Sequence, residues 1–167
     1  MDINVFQADY SNRRQAKEIV DLLNIYALDP MGGGEALRDN VKTSLVSALA
    51  KIPQAFSILC YVDDEAAGLV NCFQAFSTFA CKPVINIHDV MVCDEYRGLG
   101  LCRRMLDKVE AIARERGCCK VTLEVLEGNQ TAQAAYKKLG YAGYEIDPRL
   151  GKALFWQKQL PSISAQT

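Results

Sequence analysis

Between Val90 and Leu106 the chain reads VMVCDEYRGLGLCRRML. An apolar, β-branched run passes into a turn punctuated by glycines, and the turn opens an amphipathic helix. The first amides of a helix have no acceptor within it and carry the positive end of its dipole. Gly98 and Gly100 lack a Cβ, so an anion could approach that backbone closely. This is the physics of a phosphate or pyrophosphate cradle. Arg97, Arg103 and Arg104 add positive charge beside it. The same glycines would also suit a tight strand-to-helix turn with no ligand. A P-loop is excluded, because the Gly-Lys-Ser/Thr ending is absent. A dinucleotide fingerprint would need a small residue where Arg103 stands.

The elements around this segment follow from periodicity. Ile3–Phe6 is a short opening strand. Asn12 caps a helix that aligns Ala16, Ile19, Val20, Leu23 and Tyr26, and Pro30 with Gly32–Gly34 ends it. A second helical stripe runs through Leu37, Val41, Leu45, Ala48 and Ile52. The period then changes to that of strands: Ala55–Val62 and Gly68–Phe76 flank the polar turn Asp63–Asp64–Glu65, and Val84–Val92 follows Pro83. The helix after the glycine turn places Cys102, Met105, Leu106, Val109, Ile112 and Ala113 on one face, and Gly117 stops it. Lys120–Leu126 is another strand. Asn129 begins a short helix with Ala132, Ala135, Tyr136 and Leu139 on one side, ended by Gly140. Tyr144–Ile146 and Ala153–Gln157 are the last strand candidates. The order is β-α-α-β-β-β-α-β-α-β-β, an α+β or mixed α/β arrangement about one sheet.

Composition narrows the function classes. The chain has 167 residues, half of them apolar and 23% charged, with 19 Lys and Arg against 20 Asp and Glu. That length and balance predict one domain over residues 1–160, with a loose tail from Pro161 to Thr167, and exclude a disordered chain. A net charge of −1 argues against a protein that lives on nucleic acid. Seven cysteines without a C-x-x-C pair read as small buried hydrophobes in a reducing compartment. One His leaves too few partners for a zinc site, so no metal is expected. MDINVFQADY has neither a basic nor an apolar signal region, and no run reaches the roughly 18 apolar residues of a membrane span. The expected location is the cytoplasm.

The glycine segment resembles the acetyl-CoA signature of the GNAT superfamily of N-acetyltransferases, Gln/Arg-x-x-Gly-x-Gly/Ala. Here it reads Arg97-Gly98-Leu99-Gly100-Leu101-Cys102, departing only at Cys102. A second stretch at the family's distance downstream, Leu123–Tyr141, is similar to its Asn-x-x-Ala-x-x-x-Tyr pattern with a following Gly-Phe/Tyr pair. Asn129, Ala132, Tyr136, Gly140 and Tyr141 match in register. Taken without the resemblance, Asn129 is a helix cap and Tyr136 a core-facing aromatic. The resemblance implies a mostly antiparallel, splayed mixed sheet of about seven strands flanked by four helices. It also implies acetyl-CoA as cosubstrate, a small-molecule or peptide amine as acceptor, and a homodimer as one assembly.

By the same resemblance, backbone groups of Met91 and Val92 would bond the pantetheine arm. The amides from Arg97 to Cys102 would hold the pyrophosphate, and Asn129 a pantetheine amide. Tyr136 would protonate the departing thiolate, a task suited to a phenol that is neutral at physiological pH. The amine must also lose a proton. Related polyamine acetyltransferases carry a Glu-Asp pair where His88-Asp89 stands here. An unperturbed imidazole titrates near roughly 6.5, so His88 can relay a proton at neutral pH. Neighbouring strand residues face opposite sides of a sheet, so His88 and Asp89 are not expected to share one task. Both could instead serve the core or solvent, and Glu124 is a third candidate. The loop from Leu28 to Arg38, with Asp29, Met31 and Glu35, is expected to line the acceptor site, and Phe73–Phe79 to supply an aromatic wall. An acyl-CoA-binding module without turnover is the alternative reading.

Overall fold

The computed structural model describes residues 1–162. Two compact units make up the chain, one over Met1–Asn129 and a second from Gln130 onward. The first is built on a five-stranded sheet in the order β1-β2-β3-β4-β5. Its strands are β1 (Ile3–Gln7), β2 (Ala55–Val62), β3 (Glu65–Ser77), β4 (Lys82–Val92) and β5 (Val121–Leu123). The first four pair antiparallel, and β5 joins β4 in parallel. Asp63 and Asp64 both have positive φ, 48° and 68°, the backbone of a two-residue hairpin turn whose twist suits the strands on either side.

Helix α1 (Arg13–Leu28) begins where Asn12 accepts a hydrogen bond from the Gln15 amide, as its residue type requires. With α2 (Asp39–Leu49) it covers one face of the sheet. Ile19, Leu22, Val46, Leu59, Tyr61, Leu69, Met91 and Cys93 form the core there. The second helix is shorter than its apolar stripe: Leu37 and Ile52 lie outside it, Ala48 is exposed and Val46 is buried instead. Helix α3 (Leu101–Glu115) buries Leu101, Met105, Leu106, Val109, Ile112 and Ala113. It meets β2, β3 and β4. A Cβ on Gly68 of β3 would lie 2.8 Å from the Met105 terminal methyl, so that glycine lets α3 sit close to the sheet.

Two features of β4 set up everything downstream. Its register against β3 runs Asn71↔Asp89 and then Cys72↔Ile87, which leaves His88 as an extra residue, a β-bulge. Its parallel pairing with β5 covers only Ile85–Ile87 against Val121–Leu123. Past Ile87 the two strands no longer bond, so the sheet is splayed at that seam.

The sheet thus has five strands rather than about seven. Tyr144–Ile146 and Ala153–Gln157 are not strands. The Ala153 amide bonds the Tyr144 carbonyl at 3.2 Å, but neither segment takes strand conformation. Leu154, Phe155 and Trp156 are 77, 78 and 84% exposed, so no sheet face holds them. Strand β5 is also shorter than Lys120–Leu126, because its register with β4 ends at Leu123. Of the expected loose tail, residues 163–167 lie outside the described residues.

Helix α1 is tied to the sheet by Tyr61, whose hydroxyl donates to Glu18 and whose ring meets Phe6 edge-on at 5.0 Å. Burial, and then the Glu18 bond and charge, push the Tyr61 phenol up to about 12. A phenol with a raised folded pKa stabilises fully below its unfolded value near ~10, and that contribution is lost as pH rises through the folded value. Wild-type stability should therefore fall between about pH 10 and about 12. Tyr61→Phe should show a shallower decline in urea unfolding across that window.

Candidate active site

The glycine turn is shaped for access rather than packing. Gly98 and Gly100 have φ of 83° and 74°, and a Cβ built on either meets nothing within 4 Å. Their left-handed backbone is what excludes larger residues. Gly100 is the cap of α3 and provides no side-chain bond to the helix amides. The Arg104 amide bonds Gly100 at 3.2 Å, the first turn-closing bond. The amides before it, Leu101 to Arg103, therefore lie ahead of the hydrogen-bonded ladder. Arg97 pairs with Asp94 at 2.8 Å on the exposed rim. Burial raises the Cys102 thiol, so it stays neutral at physiological pH and sets no negative charge against an anion in the turn.

The edge of β4 leads to this turn. The Cys93 amide donates to Ala67 of the β3 side at 2.9 Å. In an antiparallel ladder the neighbouring residue turns its N–H and C=O the other way. Val92 thus presents its backbone to the side where β5 has ended. The Met91 side chain is buried in the α1–α2 core and its backbone is in register with Leu69.

On the α1–α2 face lies a cavity of about 360 Å³. Leu23, Tyr26 and Ala27 of α1, Leu45 and Leu49 of α2, and Gly32 and Leu37 of the intervening loop form one side. Asn71 and Phe73 of β3 with His88 and Asp89 of β4 form the other. His88 and Asp89 therefore share the cavity, against the expectation of opposite faces. The bulge is the cause, because an extra residue resets strand alternation at that point. The His88 ring stands edge-on to Phe73 at 5.6 Å. Burial raises the Tyr26 phenol, with the charges of Asp89 and Asp29 adding to it.

Asp89 is held by a hydrogen-bonded chain that runs back through the sheet. Asn71 Nδ2 donates to Asp89 Oδ2 at 3.0 Å, and Ser57 Oγ donates to Asn71 Oδ1 at 2.6 Å. Ser57 has one hydroxyl proton, already given to Asn71, so Tyr10 must donate in its 2.8 Å contact with Ser57 Oγ. Ser57 and Asn71 are 0 and 4% exposed, the two buried polar residues of the described chain. Sequence reading passed over them. Their signal was there: one polar residue inside each apolar run, Phe56-Ser57-Ile58 and Val70-Asn71-Cys72.

Other expected residues fall elsewhere. Asp29 caps a short 3₁₀ turn, Pro30–Gly32, by accepting the Met31 amide at 2.8 Å. Neither it nor Glu35 lines the cavity, although Gly32 and Leu37 of that loop do. Phe73 forms part of the wall, while Phe76 and Phe79 are exposed. Glu124 is exposed just beyond β5. Asn129 ends the first unit. In the second, α4 (Gln130–Lys138) carries Tyr136, half-buried and 6.1 Å from the Tyr141 ring. Gly140 closes that helix at φ 92°. Of the seven cysteines, Cys60, Cys72 and Cys93 are buried, but Cys81 and Cys119 are exposed, so they are not core filler. Among the described residues no helix is long and apolar enough to cross a membrane.

Residues 19–141 match the Acetyltransferase (GNAT) family. The chain belongs to that family. It is 24% identical over 109 residues to a thialysine N-epsilon-acetyltransferase of Caenorhabditis elegans, covering 62% of this chain and 68% of that one. It is 34% identical over 88 residues to a streptothricin acetyltransferase of Streptomyces lavendulae, covering 53% of this chain and 44% of that one. An aminoglycoside acetyltransferase from an uncultured soil metagenomic sample superposes with a TM-score of 0.77 at 11% identity, covering 95% of this chain and 97% of that one. That likeness is one of fold.

Two substitutions test how the cavity is held. A Cβ on Gly32 would fall 1.9 Å from the Tyr26 carbonyl oxygen, so Gly32→Ala should displace the loop and destabilise by about 1–3 kcal/mol, read as a lower Tm. Ser57→Ala strips Asn71 Oδ1 of its donor at a buried site and should cost about 1–3 kcal/mol. Tyr10→Phe, which removes a donor from half-buried Tyr10, should cost less in the same urea titration.

Proposed function

We propose that this GNAT-family chain is an N-acetyltransferase that carries an acetyl group from acetyl-CoA to a primary amine of a small molecule or peptide, by direct attack of the amine. The observation that carries this reading is the juxtaposition, around one strand, of an open anion cradle and a cavity holding an acid–base pair. Val92 and the turn at Gly98–Gly100 follow His88 and Asp89 on the same run of chain. Residues 1–160 are taken as one catalytic domain acting in the cytoplasm, with a homodimer as its assembly.

Acetyl-CoA supplies the activated acetyl thioester. The residues present fit it, since a Cβ on Gly98 or Gly100 meets no neighbour and the turn stands open. The amides from Arg97, Gly98, Leu99, Gly100, Leu101 and Cys102 hold the pyrophosphate, aided by the helix dipole. The backbone of Val92, which faces the side where β5 has ended, binds the pantetheine arm in the manner of an added strand, with Asn129 holding an amide farther along. Met91, whose backbone faces Leu69 of β3, supports that edge instead of bonding the arm. Asp89 anchors the ammonium form of the acceptor. His88, beside it on the bulge, receives the proton directly or through water, which frees the nitrogen lone pair. The Tyr136 hydroxyl gives a proton to the departing thiolate.

Tyr136→Phe should depress turnover by about 10²-fold or more with little change in acetyl-CoA affinity, checked by calorimetry beside a CoA-release assay confirmed by product mass. Equal turnover would remove Tyr136 from the mechanism. Binding of acetyl-CoA with no turnover of any amine would leave a binding module. Tight binding of ATP and none of CoA would overturn the whole reading.

A further inference from the structure

The walls of the cavity carry more information than the presence of a carboxylate. Leu23, Leu37, Leu45, Leu49 and Phe73 line a half-open cavity of about 360 Å³. Among the described residues lining it, Asp89 is the single carboxylate, and no Lys or Arg joins it. Asp89 is aimed by its partners: Asn71 fixes Oδ2 at 3.0 Å, and Oδ1 carries no hydrogen bond among the described residues. Asn71 is itself locked by Ser57, so the carboxylate is held in one orientation. The amide of Leu37 donates to Asn24 Oδ1 at 2.9 Å, which fixes that wall through backbone rather than side chain.

We infer that the acceptor is a primary monoamine with an apolar body, its ammonium on Asp89 and its carbon skeleton against the leucine and phenylalanine walls. This rests on the acetyltransferase reading above and narrows its acceptor. A second ammonium held against these walls would lose part of its water and find no second carboxylate. An amino-acid carboxylate would lose part of its water, find no Lys or Arg, compete with the acceptor's proton for His88, and face the Asp89 charge. Burying an unpaired charge is the costliest mismatch a binding site can offer. An aliphatic or aromatic body instead gains by leaving water for these walls. Polyamines, aminoglycosides and free amino acids are therefore poor acceptors, and an alkylamine or arylalkylamine a good one.

The test uses the full chain with acetyl-CoA and four acceptors: hexylamine, phenethylamine, spermidine and lysine, with kanamycin as a fifth. Product is followed by mass, because the protein's own thiols react with thiol reagents. The expected result is a kcat/KM for hexylamine or phenethylamine at least about tenfold above the polycations and lysine. Asp89→Asn should raise KM for those monoamines with acetyl-CoA affinity unchanged. Leu37→Glu places a second carboxylate on the wall and should raise the preference for 1,6-diaminohexane over hexylamine by about threefold or more. The wild-type ratios decide the matter alone if either variant fails to fold. Preference for spermidine, kanamycin or lysine overturns the inference and leaves the acetyltransferase reading standing. Acetyl-CoA binding without turnover of any amine overturns the inference and favours a binding module. Absence of acetyl-CoA binding overturns both.

Discussion

One extra residue in β4 governs the geometry of this molecule. A strand that kept strict alternation would send His88 to one face and Asp89 to the other. With His88 unmatched between Ile87 and Asp89, both side chains face the α1–α2 cavity. The same position is where β4 parts from β5, since their last bonded pair is Ile87 with Leu123. A bulge increases local twist and bends its strand, which accounts for both effects at once. The shared placement of His88 and Asp89 and the open edge of Val92 are thus two consequences of a single insertion.

That insertion is tolerated because the rest of β4 is held firmly. At Ile85–Ile87 the strand lies between β3 and β5, and beyond Asp89 it is again in register with β3, Val90↔Val70, Met91↔Leu69 and Val92↔Gly68. On one face Met91 belongs to the α1–α2 core; on the other, Met105 of α3 fits over Gly68. Helix α3 begins at the cradle and is pinned to the sheet by that contact, so the turn is fixed relative to β4 by packing rather than by a side-chain cap. The hydrogen-bonded chain from Tyr10 through Ser57 and Asn71 does for Asp89 what Gly68 does for the cradle. Buried polar groups of this kind are costly unless every partner is present, and here each named link has one.

The helices and long strands were legible in the sequence because their apolar spacing is unambiguous. Five of the six core positions read for α3 are buried; the exception is Cys102, where Leu101 takes the place. The glycine turn was legible because glycine takes left-handed backbone most readily, and here it does so at two positions in three. The missed features share a cause. Whether Tyr144–Ile146 and Ala153–Gln157 form strands depends on a neighbour to bond, and apolar content alone cannot supply one. Likewise, nothing in Ile87-His88-Asp89 marks a bulge, since the irregularity exists only in the register against β3. The shared placement of His88 and Asp89 on one cavity was therefore hidden from any reading of β4 by itself.

Ser57 and Asn71 illustrate the converse, a signal present in the sequence whose meaning needs the fold. A single polar residue in a buried strand costs stability on its own. Two of them, on β2 and β3 and paired in register, satisfy each other. Their remaining capacity is then directed outward, toward Asp89 on one side and Tyr10 on the other. Replacing both with apolar residues of similar size would remove the cost along with the bond, so stability alone does not account for keeping them. What the pair adds is orientation: Asn71 presents its Nδ2 to the cavity because Ser57 claims its oxygen, and Asp89 is oriented in consequence. The internal order of the sheet is in this way carried out to the cavity wall.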